Sequence, residues 1–167
     1  MNEMKKRWLS LFVENEVGVM AKISGMCAGK LYNMESVTVG TTADPTISRM
    51  TIGFLSDDGT FEQIKKQLNR CVEVIKVVDI TDIPTHTKEL MFIKVKIANQ
   101  DDKQEIISIC KIFRSSIIDY DMERMIIQSV NSESRNNDLL HLLEKRFRDL
   151  EIVRGGVVAI EALSLGD

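Results

Sequence analysis

Asn15 stands three residues ahead of Gly18 in the segment Glu14-Asn15-Glu16-Val17-Gly18-Val19-Met20. These residue types at this spacing suit the non-covalent capture of a small zwitterion. A glycine lets backbone amides approach a ligand with no Cβ in the way. A helix opening just after it offers unpaired N–H groups and a positive dipole end, which suit a carboxylate. The Asn15 amide supplies an oxygen for an ammonium group and an NH2 for a carboxylate. Val17, Val19 and Met20 are placed to line an apolar pocket. A tight turn that binds nothing meets the same spacing at least as well, so the spacing alone does not decide between them.

Groups suited to covalent chemistry do not assemble. Cys27, Cys71 and Cys110 are far apart in apolar contexts and read as reduced, buried thiols. His86 falls in a polar connection and His141 on a leucine-rich helix, neither within a nucleophile motif. No CxxC or HxxxH pair offers metal ligands at short spacing. Neither GxGxxG nor GxxxxGK[ST] is present to cradle phosphates. The carboxylate pairs Asp57-Asp58, Asp101-Asp102 and Glu14/Glu16 fall at turns, as helix caps and solvated loops. The expectation is therefore a chain with no catalytic residue, no metal and no cofactor.

The elements that must position Asn15 and Gly18 follow from periodicity. Of 167 residues, 44% are apolar and 28% charged, enough to bury a real core. The net charge is −3 with mixed signs, and Lys5-Lys6-Arg7 is the densest basic run. That excludes the basic stripe of a nucleic-acid binder. The apolar run at 8–13 is too short for a signal core or a membrane span. A cytoplasmic protein without a membrane partner is expected.

The pattern strand-helix-strand-strand-helix-strand occurs twice. In the first copy, 7–13 reads as a strand and Val19, Met20, Ile23, Cys27 and Leu31 form one helical face. Residues 34–42 read as extended, and Asp44-Pro45-Thr46 as a turn. Met50, Ile52 and Phe54 alternate as a strand, Phe61, Ile64 and Leu68 mark a second helix, and 72–80 a fourth strand. Residues 81–88 read as a linker. In the second copy Met91, Ile93, Val95 and Ile97 alternate as a strand, and Asp101-Asp102 precedes a helix carrying Ile106, Ile109, Cys110 and Phe113. Residues 117–121 and 124–131 suggest a hairpin, and 136–148 a helix bearing Leu139, Leu143 and Phe147. A last strand spans 150–154, which 157–160 extends or follows. The fold class is α+β, two ferredoxin-like βαββαβ units over 6–80 and 89–163. The strands carry apolar residues on both faces, which points to a partner or a second copy over the second face.

Asn-x-x-Gly after the first strand of such a unit resembles the ACT domain, a small amino-acid-sensing module. Further stretches resemble one ACT family, the regulatory small subunit of acetolactate synthase, also called acetohydroxyacid synthase. They are Tyr32-Asn33-Met34-Glu35-Ser36, Asp44-Pro45-Thr46-Ile47-Ser48-Arg49-Met50-Thr51-Ile52, Phe113-Arg114 with Ile117-Ile118-Asp119, and Gly156-Val157-Val158. The resemblance spans nearly the whole chain, and the run 44–52 is its most specific part.

The resemblance implies an N-terminal ACT domain that pairs with a second copy as a homodimer and holds valine, or another branched-chain amino acid, between chains. Asn15 and Gly18 match the family's effector-loop positions, and Glu16, Val17, Val19 and Met20 beside them are expected to bind the effector. Asn33, one strand away, matches the position contributed from the facing chain, and Met34 next to it is expected to bind the effector as well. It further implies activation and valine feedback inhibition of a large catalytic subunit in valine, leucine and isoleucine biosynthesis. That subunit would carry thiamine diphosphate, magnesium and FAD. The competing class is a free-standing ACT sensor acting on another enzyme or on transcription, although no helix-turn-helix segment is visible. Two departures stand out. Leu31 replaces a glycine that would suit a left-handed helix cap. The tail Ile160-Glu161-Ala162-Leu163 differs from the family's, so contacts of the extreme C-terminus are not carried over.

Overall fold

The structure, a computed structural model, describes residues 3–163. The described chain divides into two compact units, one comprising residues 3–86 and 157–163, the other Thr87–Gly156. The class is α+β with two four-stranded antiparallel sheets, as the two repeats require.

The first unit contains β1 (Lys5–Glu14), α1 (Val19–Gly29), β2 (Met34–Thr41), β3 (Ile47–Ser56), α2 (Asp58–Leu68) and β4 (Val74–Asp79). The sheet order is β2-β3-β1-β4. Strand alternation turns Leu9, Leu11 and Val13 of β1 and Met50, Ile52 and Phe54 of β3 onto one face. There they meet Val19, Ile23 and Cys27 of α1 and Phe61, Ile64 and Leu68 of α2. Burying each large side chain contributes about 1.5–3 kcal/mol. Helix α2 starts cleanly because the Asp57 carboxylate accepts from Thr60 N at 3.0 Å.

The opposite face of this sheet is covered in part by the chain itself. Register puts Ser36 opposite Gly53, Thr38 opposite Thr51 and Gly40 opposite Arg49 on that face. Val157 N donates to Ser36 Oγ at 3.0 Å, and Thr38 Oγ1 donates to the Val157 carbonyl at 2.8 Å. Arg49 pairs with Glu161 at 2.9 Å, and Ala162 N donates to the Pro84 carbonyl at 2.8 Å. Ser10, Thr51, Val157 and Ala159 are buried. The Trp8 ring lies against Gly53, where an added Cβ would come within 2.8 Å of it.

The second sheet and its helices are β5 (Thr85–Lys96), α3 (Gln100–Phe113), β6 (Ser116–Tyr120), β7 (Arg124–Asn131), α4 (Glu133–Arg146) and β8 (Leu150–Glu161), in sheet order β6-β7-β5-β8, with Thr87–Gly156 forming the second unit. Met91, Ile93 and Val95 pack on Ile106, Ile109, Cys110, Leu139 and Leu143. A buried polar network closes one end of this core. Arg154 makes two bonds to the Glu89 carboxylate at 2.8 and 2.7 Å. Asn136 donates to the same carboxylate at 3.0 Å and accepts from Ser129 Oγ at 2.8 Å. Partners at every link are what make such a network tolerable in a core.

Several local expectations are revised. The helical stripe stops before Leu31, because α1 ends at Gly29 and Tyr32 N bonds back to the Cys27 carbonyl at 2.9 Å. Leu31 takes the left-handed cap position (φ 59°) and is exposed rather than part of the core face. Its Cβ makes that conformation about 1–2 kcal/mol worse than glycine. Asp101 and Asp102 lie inside the first turn of α3, with Asn99 as its cap. Cys71 is half-buried, unlike Cys27 and Cys110. Strand β5 begins at Thr85, inside the segment read as linker, and β8 continues through Gly155-Gly156 to Glu161.

Candidate functional site

Strand β1 ends at Glu14, paired with Ile47 of β3. That pairing brings the loop 15–18 against the hairpin that joins β2 to β3. Asn15 N donates to the Thr46 carbonyl at 2.7 Å. Asn15 Nδ2 donates to the Pro45 carbonyl at 2.8 Å, and Ser48 Oγ donates to Asn15 Oδ1 at 3.0 Å. The hairpin is stiffened by Asp44, whose carboxylate accepts from Thr46 N at 2.9 Å and from Thr46 Oγ1 at 2.6 Å. These bonds hold the Asp44 carboxyl below its usual range, the Thr46 hydroxyl contributing most.

Gly18 is the N-cap of α1 with φ 92°, and a Cβ added there meets nothing within 4 Å. Among the described residues no side chain caps this helix, and its first turn holds no acidic residue. Val19 N bonds to the Glu16 carbonyl at 3.4 Å, and the first intrahelical bond is from Lys22 N to the Gly18 carbonyl, so the amides between them have no partner within the helix, at its positive dipole end. Asn15, Glu16, Val17, Gly18 and Met20 are exposed. Val19 is 5% exposed and belongs to the core, so it shapes the helix entry rather than lining an apolar pocket. Behind the corner Lys22 bonds to Glu73, which lowers the Glu73 carboxyl and raises the Lys22 ammonium.

Asn33 is exposed and Met34 half-buried at the entry to β2. Met34 and Arg7 both pair with Phe54, whereas Glu14 pairs with Ile47 and Thr41 with Ser48. Asn33 therefore lies at the end of the sheet opposite Asn15, the eight residues of β2 away. At the rise of an extended chain this is roughly 25 Å. Within one copy the candidate residues form two separate patches, a strand's length apart. Strand β2 is an edge of its sheet and presents open backbone groups.

Nothing else among the described residues gathers as a reactive centre. Burial pushes the Cys27 and Cys110 thiols up to about 11, so neither is a thiolate near neutrality. His86 and His141 are both exposed. Among the described residues no group of three His, Cys, Asp or Glu is placed to hold a metal, and no helix is long and apolar enough to cross a membrane.

Comparison with known proteins decides the family. Residues 88–163 match the model described as the small subunit of acetolactate synthase. Residues 9–76 match an acetohydroxyacid synthase small-subunit-like ACT domain. The acetolactate synthase small subunit of Aquifex aeolicus is 38% identical over 158 residues, covering 95% of this chain and 82% of that protein. The chain belongs to the acetolactate synthase small-subunit family.

The small subunit of Haemophilus influenzae is 35% identical, with 93% of this chain and 94% of that protein covered. The crystal structure of the Thermotoga maritima small subunit superposes with a TM-score of 0.85 at 36% identity, covering 96% of this chain and 99% of that one. Small-subunit membership supports a regulatory role and agrees with the ferredoxin-like, ACT-containing architecture described above. Sequence reasoning had singled out 44–52 but left it apart from the effector loop. What it missed was that Pro45 and Ser48 hold the Asn15 amide. The available signal was strand register, since Glu14 opposite Ile47 makes residues 15 and 46 neighbours.

Proposed function

We propose that this chain is the non-catalytic regulatory subunit that activates the catalytic large subunit of acetolactate synthase and confers feedback inhibition by valine. Its site is the cytoplasm, in branched-chain amino acid biosynthesis. The thiamine diphosphate, magnesium and FAD of the reaction belong to the large subunit. Valine binds where two copies meet, its carboxylate against the leading amides of α1 and its ammonium against the Asn15 amide.

The observation that carries this reading is the split of the candidate residues between opposite ends of an edge-stranded sheet. Antiparallel pairing of β2 with β2 of a second copy sets the Asn33 end of one against the Thr41 end of the other, beside the other's Asn15 loop. The two half-sites then complete each other, so effector binding and chain pairing are linked. Feedback requires different valine affinities in the activating and inhibited states, typically a coupling of about 1–3 kcal/mol.

Gly18→Asp tests it. A Cβ at Gly18 meets no neighbour, so the structural cost is the backbone strain of φ 92°, about 1–2 kcal/mol. The added carboxylate would occupy the place of the effector's. The expected result is an enzyme complex that is still activated but is insensitive to valine, read as acetolactate formation with and without valine. Unchanged valine inhibition removes the corner from the mechanism.

A further inference from the structure

The Asn15 amide is fixed at both ends before any ligand arrives. The Pro45 carbonyl only accepts, so the bond at 2.8 Å identifies the nitrogen end of the amide. The Ser48 hydroxyl occupies the oxygen end at 3.0 Å. The backbone bond from Asn15 N to the Thr46 carbonyl clamps the same residue to the same hairpin. Each side-chain bond uses half of what its atom offers, so one N–H and one lone pair remain. Asn15 itself is exposed, whereas Ser48 is 6% exposed and lies beneath it.

We propose that Ser48, together with the Pro45 carbonyl, is a positioning element of the effector site: it sets the orientation of the Asn15 amide, so that the remaining N–H faces the carboxylate and the remaining lone pair the ammonium of a zwitterion. This rests on reading the corner as the amino-acid site. Ser48 touches no ligand and acts through Asn15. Without it the amide swings about its other bond, and its ordering is charged to each binding event. The latch favours ligands carrying both charged groups, because only they use both remaining positions at once.

Calorimetric titration of the full chain with L-valine and with L-valinamide, which keeps the ammonium but lacks the carboxylate, tests the proposal. Ser48→Thr and Ser48→Val have nearly the same shape and differ in the hydroxyl, so a packing defect affects both alike. Ser48→Ala repeats the loss of the hydroxyl without added bulk. The Thr variant is expected to bind valine within about twofold of wild type, and the Val and Ala variants about tenfold more weakly, the worth of one well-placed hydrogen bond. Valinamide affinity should fall less, so the ratio of valine to valinamide affinity drops only where the hydroxyl is missing. Val and Ala variants that bind valine as wild type does overturn the proposal and leave the effector site standing. Equal losses for both ligands, or equal losses in Thr and Val, assign Ser48 a packing role and overturn it too. A wild-type chain that binds no branched-chain amino acid ends the effector reading, and this proposal with it.

Discussion

The strand-to-helix corner of the first unit, residues 14–19, and its counterpart in the second, residues 96–100, serve the same junction with opposite chemistry. In the second, Asn99 caps α3 by accepting from Asp102 N at 2.9 Å, and Asp102 accepts from Ala98 N at 2.9 Å. The arrangement resembles a capping box shifted by one residue, because Asp102 reaches back past the cap to the amide before it, and Asp101 and Asp102 place negative charge at the helix start. Arg146 holds Asp102 at 3.0 Å. In the first, a glycine stands at the cap, with no acid in the following turn. One fold thus fills the N-terminal end of its helix with side chains in one unit and leaves it without a side-chain cap in the other. The difference lies in a few residues rather than in topology.

The largest expected break in this comparison is Asp102→Ala. It removes a buried carboxylate that satisfies a backbone amide and faces Arg146. The cost should be about 2–3 kcal/mol of stability in denaturant titration. Valine inhibition of the reconstituted enzyme should be unchanged. A lost valine response at undiminished stability would show that the second corner, not the first, serves the effector.

A smaller effect sharpens the comparison from the other side. Ala21 occupies the third position of α1, as Asp102 does in α3, and is exposed. Ala21→Asp transplants the internal carboxylate. It should raise stability by about 0.3–1 kcal/mol through the helix dipole while weakening valine binding measured by calorimetry. Valine binding that is unaffected or tightened would mean that the effector's carboxylate lies elsewhere.

The smallest effect concerns pH. The Lys22 bond holds the folded Glu73 carboxyl below its ordinary 4.5. A depressed acid contributes stability above its unfolded value and loses it as pH falls toward the folded one. The melting-temperature difference between wild type and Glu73→Gln should therefore be modest at neutrality and shrink progressively as pH falls below 4.5. A difference that persists in acid would mean that Glu73 acts through packing rather than charge.

Much of the fold is legible in the sequence because strand and helix periods are local. Leu9, Leu11 and Val13, or Leu139 and Leu143, declare their buried face by spacing alone, and all are buried. Gly18 is legible as well, since an open φ 92° before a helix calls for a residue without a Cβ. Leu31 shows where this fails. Its spacing extends the α1 stripe, yet the bond from Tyr32 N to the Cys27 carbonyl closes the helix first. Nothing in a period encodes where a helix is capped.

The sequence by itself determined two βαββαβ repeats, their cores, and a glycine-opened corner next to Asn15. The tertiary structure alone decided that Pro45 and Ser48 grip that asparagine, and that Asn33 lies at the far end of the sheet. It also decided that Val157 and Glu161 reach the back of the first sheet and cover part of it. The physical reason is sequence distance. Alternation records which face a residue takes, but strand order and register decide which distant residues meet. Ser36 and Val157 carry no local trace of the hydrogen bond that joins them.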